Sequence, residues 1–148
     1  MPLESTLDEM LTILRRLEAG AQPAIEPDND DIGEEPDAAQ LLRVAKTAVR
    51  MREIQRKYLP ASYFDEPALN ILLDLYVAEA DGRTVYVNDA CIASHTPTST
   101  ALRWIAILVR DGFAVRTRDA TDARRTILAV TPQGHRALSA LLGHWNRI

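Results

Sequence analysis

The chain has 148 residues, 47% of them hydrophobic and 26% charged, which suffices for one domain with a real core and is short for two. No apolar run approaches the roughly 20 residues of a membrane span, so no membrane partner is expected. The net charge of −4 conceals an asymmetry: residues 1–37 hold eleven acidic and two basic side chains, residues 38–148 ten acidic and fifteen basic. An acidic arm joined to a basic body directs attention to nucleic acid. The opening "MPLESTLDEM" has no basic stretch before an apolar one, so a secretory signal is not expected. The single cysteine, Cys91, excludes an internal disulfide and a cysteine-rich metal site, and a cytoplasmic location follows as the plain expectation.

In chain order, Leu3, Leu7, Met10, Leu14 and Leu17 step by fours and threes, predicting a helix over 3–19 that Gly20 stops. Its stripe is suited either to packing within the chain or to a subunit contact. Residues 20–37, "GAQPAIEPDNDDIGEEPD", read as a linker: the segment has three prolines, and seven of its last twelve residues are acidic. They serve as a solvated spacer or as an inhibitory arm that imitates DNA. The domain division is therefore 1–37 and 38–148. Residues 38–58 form a second helix with Leu41, Val44, Ala48, Met51 and Tyr58 on one face and Arg43, Lys46, Arg50 and Lys57 on a neighbouring one. Pro60 ends it. A third helix starts near Asp65, Glu66 and Pro67, buries Leu69, Leu72, Leu73 and Tyr76, and closes at Gly82. "TVYV" (84–87) is β-like, and Asn88 is expected to cap a brief helix reaching Ser94.

"HTPTSTALRWIAILVRDG" predicts a long helix with Thr96 as cap, Pro97 in the first turn and Gly112 just past its end. With Ile105 at the centre of the buried arc, Thr98, Ala101, Leu102, Leu108 and Val109 fall within about 60° of it. Ser99, Thr100, Arg103 and Arg110 point away, with Ile107 the apolar exception among them, and Trp104 lies on the flank. Short hydroxyls plus one long arginine are what a helix entering a major groove requires: small donors near the backbone and bidentate reach to guanine edges. "FAVRTR" (113–118) and "TILAVT" (126–131) form a β-hairpin, and a last helix runs from Pro132 toward Trp145. Arg116 and Arg118 stand on the incoming strand, and Arg124 and Arg125 near the tip. An extended wing carrying arginine can reach phosphates or an adjacent minor groove. Asp122, an acid in that cluster, is expected to hold Arg124 in one rotamer.

The order of these elements is that of a winged helix-turn-helix, mainly α with a small β-hairpin and preceded by N-terminal helices. "DATDARRTILAVTPQG" and "TSTALRWIAILVRDGFAVR" resemble the wing and recognition helix of MarR-type transcriptional regulators, over about residues 66–140. The resemblance implies a homodimer that binds double-stranded DNA. Asp122 and Arg124 correspond to its wing pair, and Ser99, Thr100 and Arg103 to its groove-facing residues. Together with Thr98, Arg116, Arg118 and Arg125, these make up the expected DNA-binding set. Sixteen residues follow Pro132, where the family dimerises through a longer C-terminal helical pair, so helix 3–19 is expected to supply the subunit contact. A small-molecule effector belongs to the same expectation, its identity open.

No nucleophile with a base, phosphate-cradling glycine loop or paired acids is visible, so neither an enzyme nor a cofactor is expected. His95, His135 and His144 are scattered and suggest no metal site. Cys91 reads as core rather than as an oxidant sensor, and Trp104 and Trp145 as packing anchors. The alternative function is a winged-helix module for protein–protein assembly that has lost DNA binding.

Overall fold

A computed structural model describes residues 36–63 and 66–148. The expected helix 3–19, the linker up to residue 35 and the cap at Asp65 lie outside the described residues. Helix α1 (Ala38–Tyr58) begins at Asp37, whose carboxylate accepts from Gln40 N while the Gln40 side chain accepts from Asp37 N. This reciprocal cap satisfies donors the first turn leaves open. Ala45 is fully buried and Leu41, Val44, Ala48 and Val49 pack on the core. The expected face fails beyond that point: Met51 is 55% and Tyr58 80% exposed. α1 packs on the helix that follows it, Pro67–Asp81, and on the last helix, and most of its last two turns are exposed. Lys46, on the basic face, reaches Asp81 at 3.2 Å.

Helix α2 (Pro67–Asp81) ends at Gly82, which adopts φ +68, as the sequence indicated. Its buried surface is wider than the expected stripe. Ile71, Leu73, Leu75, Tyr76 and Ala78 are buried, with Leu69 and Leu72 only partly so, because α2 is central and touches α1, the helix-turn-helix, the sheet and the last helix. Strand β1 (Val85–Tyr86) is shorter than the expected "TVYV" and leads into α3 (Val87–Ala93). Asn88 is not the cap: the helix starts one residue earlier, and Asp89 Oδ2 accepts from Tyr86 N at 2.9 Å.

Helix α4 (Thr98–Arg110) starts after Pro97, with no side-chain cap. Thr96 does not cap it; its hydroxyl pairs with Ser94 Oγ at 2.9 Å inside the turn between α3 and α4. Strands β2 (Ala114–Arg118) and β3 (Thr126–Val130) form the hairpin. β1 joins β3, giving an antiparallel sheet in the order β1-β3-β2, with Val85 and Arg116 both opposite Leu128. Helix α5 (Pro132–Asn146) returns to pack on α1 and α2. Trp104 and Trp145 pack against the core, as expected of anchors. No described helix is long and apolar enough to cross a membrane.

The start of α5 is built by the "TPQG" stretch. Thr131 Oγ1 donates to Gly112 O at 2.6 Å and accepts from Gly134 N at 3.0 Å, while Thr131 N donates to Phe113 O. A Cβ on Gly134 would collide with Phe113 O, so only glycine lets the helix approach the hairpin this closely.

Candidate nucleic-acid interface

The outward face of α4 is narrower in its burial than the sequence implied. Ala101, Ile105 and Leu108 are buried, but Thr98 and Leu102, both placed in the buried arc by helical geometry, are exposed, Leu102 by 45%. Leu102 lies at the edge of the arc, and Thr98, although near its centre, is the first residue of the helix; α2, α3 and β2 supply the contacts that bury the rest. Ser99 and Arg103 are exposed and Thr100 half-buried. Among the described residues, the side chains of Thr98, Ser99, Thr100 and Arg103 make no hydrogen bond or ion pair. The helix therefore offers three unengaged hydroxyls and one unengaged guanidinium.

The turn before α4 is held from below. Asn70, buried in α2, donates from Nδ2 to Ser94 O at 3.3 Å, and Ser94 Oγ donates to Cys91 O at 2.6 Å. His95 follows with φ +57, the left-handed region that a residue with a Cβ rarely occupies. Cys91 is buried and its thiol is pushed up by desolvation, away from the reactive thiolate. His95, His135 and His144 share no cluster that could hold a metal among the described residues.

The wing is organised by two aspartates, of which the sequence reading found one. Asp122 engages Arg124 through Oδ1 to Nε and to the backbone N, both at 3.1 Å, leaving the Arg124 side chain 90% exposed. Asp119, buried, accepts from Thr121 N and Oγ1 through Oδ1, both at 3.0 Å, and its backbone N donates to Arg125 O. Arg125 lies 3.4 Å from Asp119 and 3.7 Å from Asp122, and its guanidinium sits 4.4 Å above the Tyr86 ring. The Thr121 donors, then Arg125, hold the Asp119 carboxyl below its usual value, and the Arg124 donors do the same for Asp122. Arg116 and Arg118 are exposed on β2, and neither has an ion-pair partner among the described residues. Asp119 and Tyr86 carried no signal in isolation: one reads as a turn residue and the other as part of a strand.

The architecture can be set beside solved structures. Staphylococcus aureus MepR in complex with DNA superposes with a TM-score of 0.51 at 22% identity, over 72% of this chain and 83% of that chain. The fold is the MarR-type winged helix. A MepR variant bound to an oligodeoxyribonucleotide gives 0.50 at 21% identity, over 76% of this chain and 79% of that one. An Archaeoglobus fulgidus protein also gives 0.50, at 20% identity over 57% of this chain and 89% of its own. No protein-family model and no curated protein matches the sequence. In this MarR-type frame α3 and α4 are the helix-turn-helix and the β2–β3 hairpin is the wing.

Proposed function

We propose that the chain is a sequence-specific regulator of transcription that binds double-stranded DNA. Helix α4 enters the major groove, with Thr98, Ser99, Thr100 and Arg103 toward the bases, and the arginine wing lies on the backbone or minor groove. The observation that carries this reading is the pairing of exposed α4 donors, Ser99 and Arg103, which have no partner among the described residues, with Arg124, outstretched yet braced by Asp122. Free donors on a helix suit base edges, and a braced guanidinium suits a fixed anionic surface. MepR, whose fold this chain shares, is seen with DNA. The role is regulatory and non-catalytic.

A two-fold protein reads two half-sites about one helical turn apart, so the DNA-binding form is a homodimer. We propose that the leucine seam in the sequence of residues 3–19 contributes to the subunit contact. Sedimentation of the full chain against a chain starting at Asp37 tests this, and a monomeric full chain would remove the dimer. A small-molecule effector has room in a cavity of about 320 Å³ between α1, α2 and α3, where the buried Asn70 Oδ1 has no hydrogen-bond partner among the described residues.

The competing reading, assembly with another protein in place of DNA, draws on the exposed Leu102 and Val115 at 45% and 44%. Selection from random duplex DNA separates the two, since an enriched operator supports the regulator and its absence supports the assembly module. On the enriched duplex, Arg124→Ala should weaken binding to specific and scrambled sequences alike, less so as salt rises.

A further inference from the structure

The hairpin has a working surface besides its tip. Alternation along paired strands puts Ala114, Arg116 and Arg118 on one face with Val130, Leu128 and Thr126 opposite them. Ala114, Leu128 and Val130 point into the core. Beyond Leu128 the core ends, and the same face borders a cleft of about 290 Å³ lined by Tyr86, Val87, Asn88, Arg116, Arg124 and Thr126. None of the six is acidic. They bring two guanidinium groups, a carboxamide and two hydroxyls, those of Tyr86 and Thr126, to one concavity. The Arg116 and Asn88 side chains are exposed and make no hydrogen bond or ion pair among the described residues. Arg124 is already fixed to Asp122 at the rim.

We propose that this cleft seats one phosphodiester of the DNA backbone, with Arg116 and Asn88 as the contacting groups; the inference rests on the DNA-binding reading above. A phosphodiester offers two non-bridging oxygens and a single negative charge. The planar guanidinium of Arg116 can donate to both oxygens, and the Asn88 amide can add a neutral donor. A base edge fits this cleft less well, because base edges present donors as well as acceptors and no carboxylate lines the cleft to receive them. Thr126 supplies the hydroxyl on the β3 side. Arg125 does not contact the phosphate: Asp119 and Asp122 draw it over the Tyr86 ring, where it braces the cleft wall. It is a positioning residue. Asn88 thus acquires a function in place of the capping role its position in the sequence suggested.

The test combines salt dependence with single-phosphate neutralisation. Arg116→Ala and Asn88→Ala are compared with the parent on the selected duplex and on a scrambled one, with circular dichroism confirming that each variant folds. Arg116→Ala should lose about tenfold in affinity on both duplexes. The slope of log K against log salt should become shallower by about 1, one phosphate contact fewer. Scanning the duplex with methylphosphonates should find one position per half-site at which neutralisation and Arg116→Ala together cost no more than either alone. An unchanged slope, or full additivity at every phosphate, would overturn the proposal. If the parent binds no duplex, the DNA-binding reading itself falls, and titration with inorganic phosphate judges the cleft separately. Shifts of the Asn88 side-chain amide and Thr126 backbone resonances that vanish in Arg116→Ala would uphold an anion seat. No shift would remove it.

Discussion

Helix α4 and the wing both present arginine to solvent, but they hold it in opposite ways. Arg103 stands on a rigid helix with a free side chain, whereas Arg124 and Arg125 stand on a loop with their guanidinium groups tied to Asp122, Asp119 and Tyr86. In α4 the backbone is ordered by i→i−4 hydrogen bonds and the side chain retains its rotamer freedom. In the wing the backbone gets few ladder bonds past Arg118 and Thr126, so side-chain carboxylates supply the order. An unconstrained arginine can adapt to a base edge at the cost of ordering on contact, while a constrained one meets a repeating backbone with less entropy to lose.

Four experiments sharpen or break this contrast. The largest effect is expected from Gly134→Ala, which pushes a methyl group into Phe113 O and should cost about 3 kcal/mol, the upper range of overpacking. Thermal denaturation reads the loss, and an unchanged midpoint would mean that the α5–hairpin junction yields easily. Next, Arg103→Ala should cost about 2 kcal/mol at the preferred site and relax the preference at one base pair. An equal loss on all sequences would make Arg103 a phosphate contact and reduce its difference from the wing. Third, His95→Val should destabilise the fold by about 1–2 kcal/mol through its left-handed backbone, while His95→Gly is tolerated. Urea unfolding of both variants checks the sign.

The smallest effect concerns acid. Asp119 and Asp122 have carboxyl groups held below their ordinary value of 3.8, so their bonds to the tip are complete above that value and are lost as pH falls through the lowered ones. Amide exchange at Thr121 and Arg124 should therefore stay slow at neutral pH and quicken below about pH 4 beyond its intrinsic trend, with α4 unaffected. Asp122→Asn should weaken that dependence at Arg124. A tip indifferent to pH would mean that the strands, not the aspartates, order it.

The contrast also explains what could be read in advance. Helix spans, the hairpin and the Asp122–Arg124 pair follow from short-range rules: periodicity, turn residues and a two-residue reach. What escaped depended on partners distant in sequence. Tyr86 lies beneath Arg125 only because β1 pairs with β3, a two-residue strand contact that periodicity does not register. Met51 and Tyr58 have a helical apolar spacing, but whether such a face is covered depends on the neighbouring helices, and Glu66 at the start of α2 already lies beside Arg52. Asn88 and Thr96 looked like caps because their side chains suit that role, whereas Asp89 closes one helix start from within and Pro97 occupies the other. Leu102 sat at the edge of the geometric arc, where a few degrees of packing angle decide exposure.

The bond from Thr131 to Gly112, and that from Gly134 back to Thr131, give α5 and the wing a common fulcrum. One hydroxyl is shared between the exit of α4 and the first turn of α5, and Phe113 O abuts the same glycine. A roll of α5 about its long axis cannot leave the root of the hairpin behind. Where the wing leaves the body is thus fixed by the same few atoms that start α5.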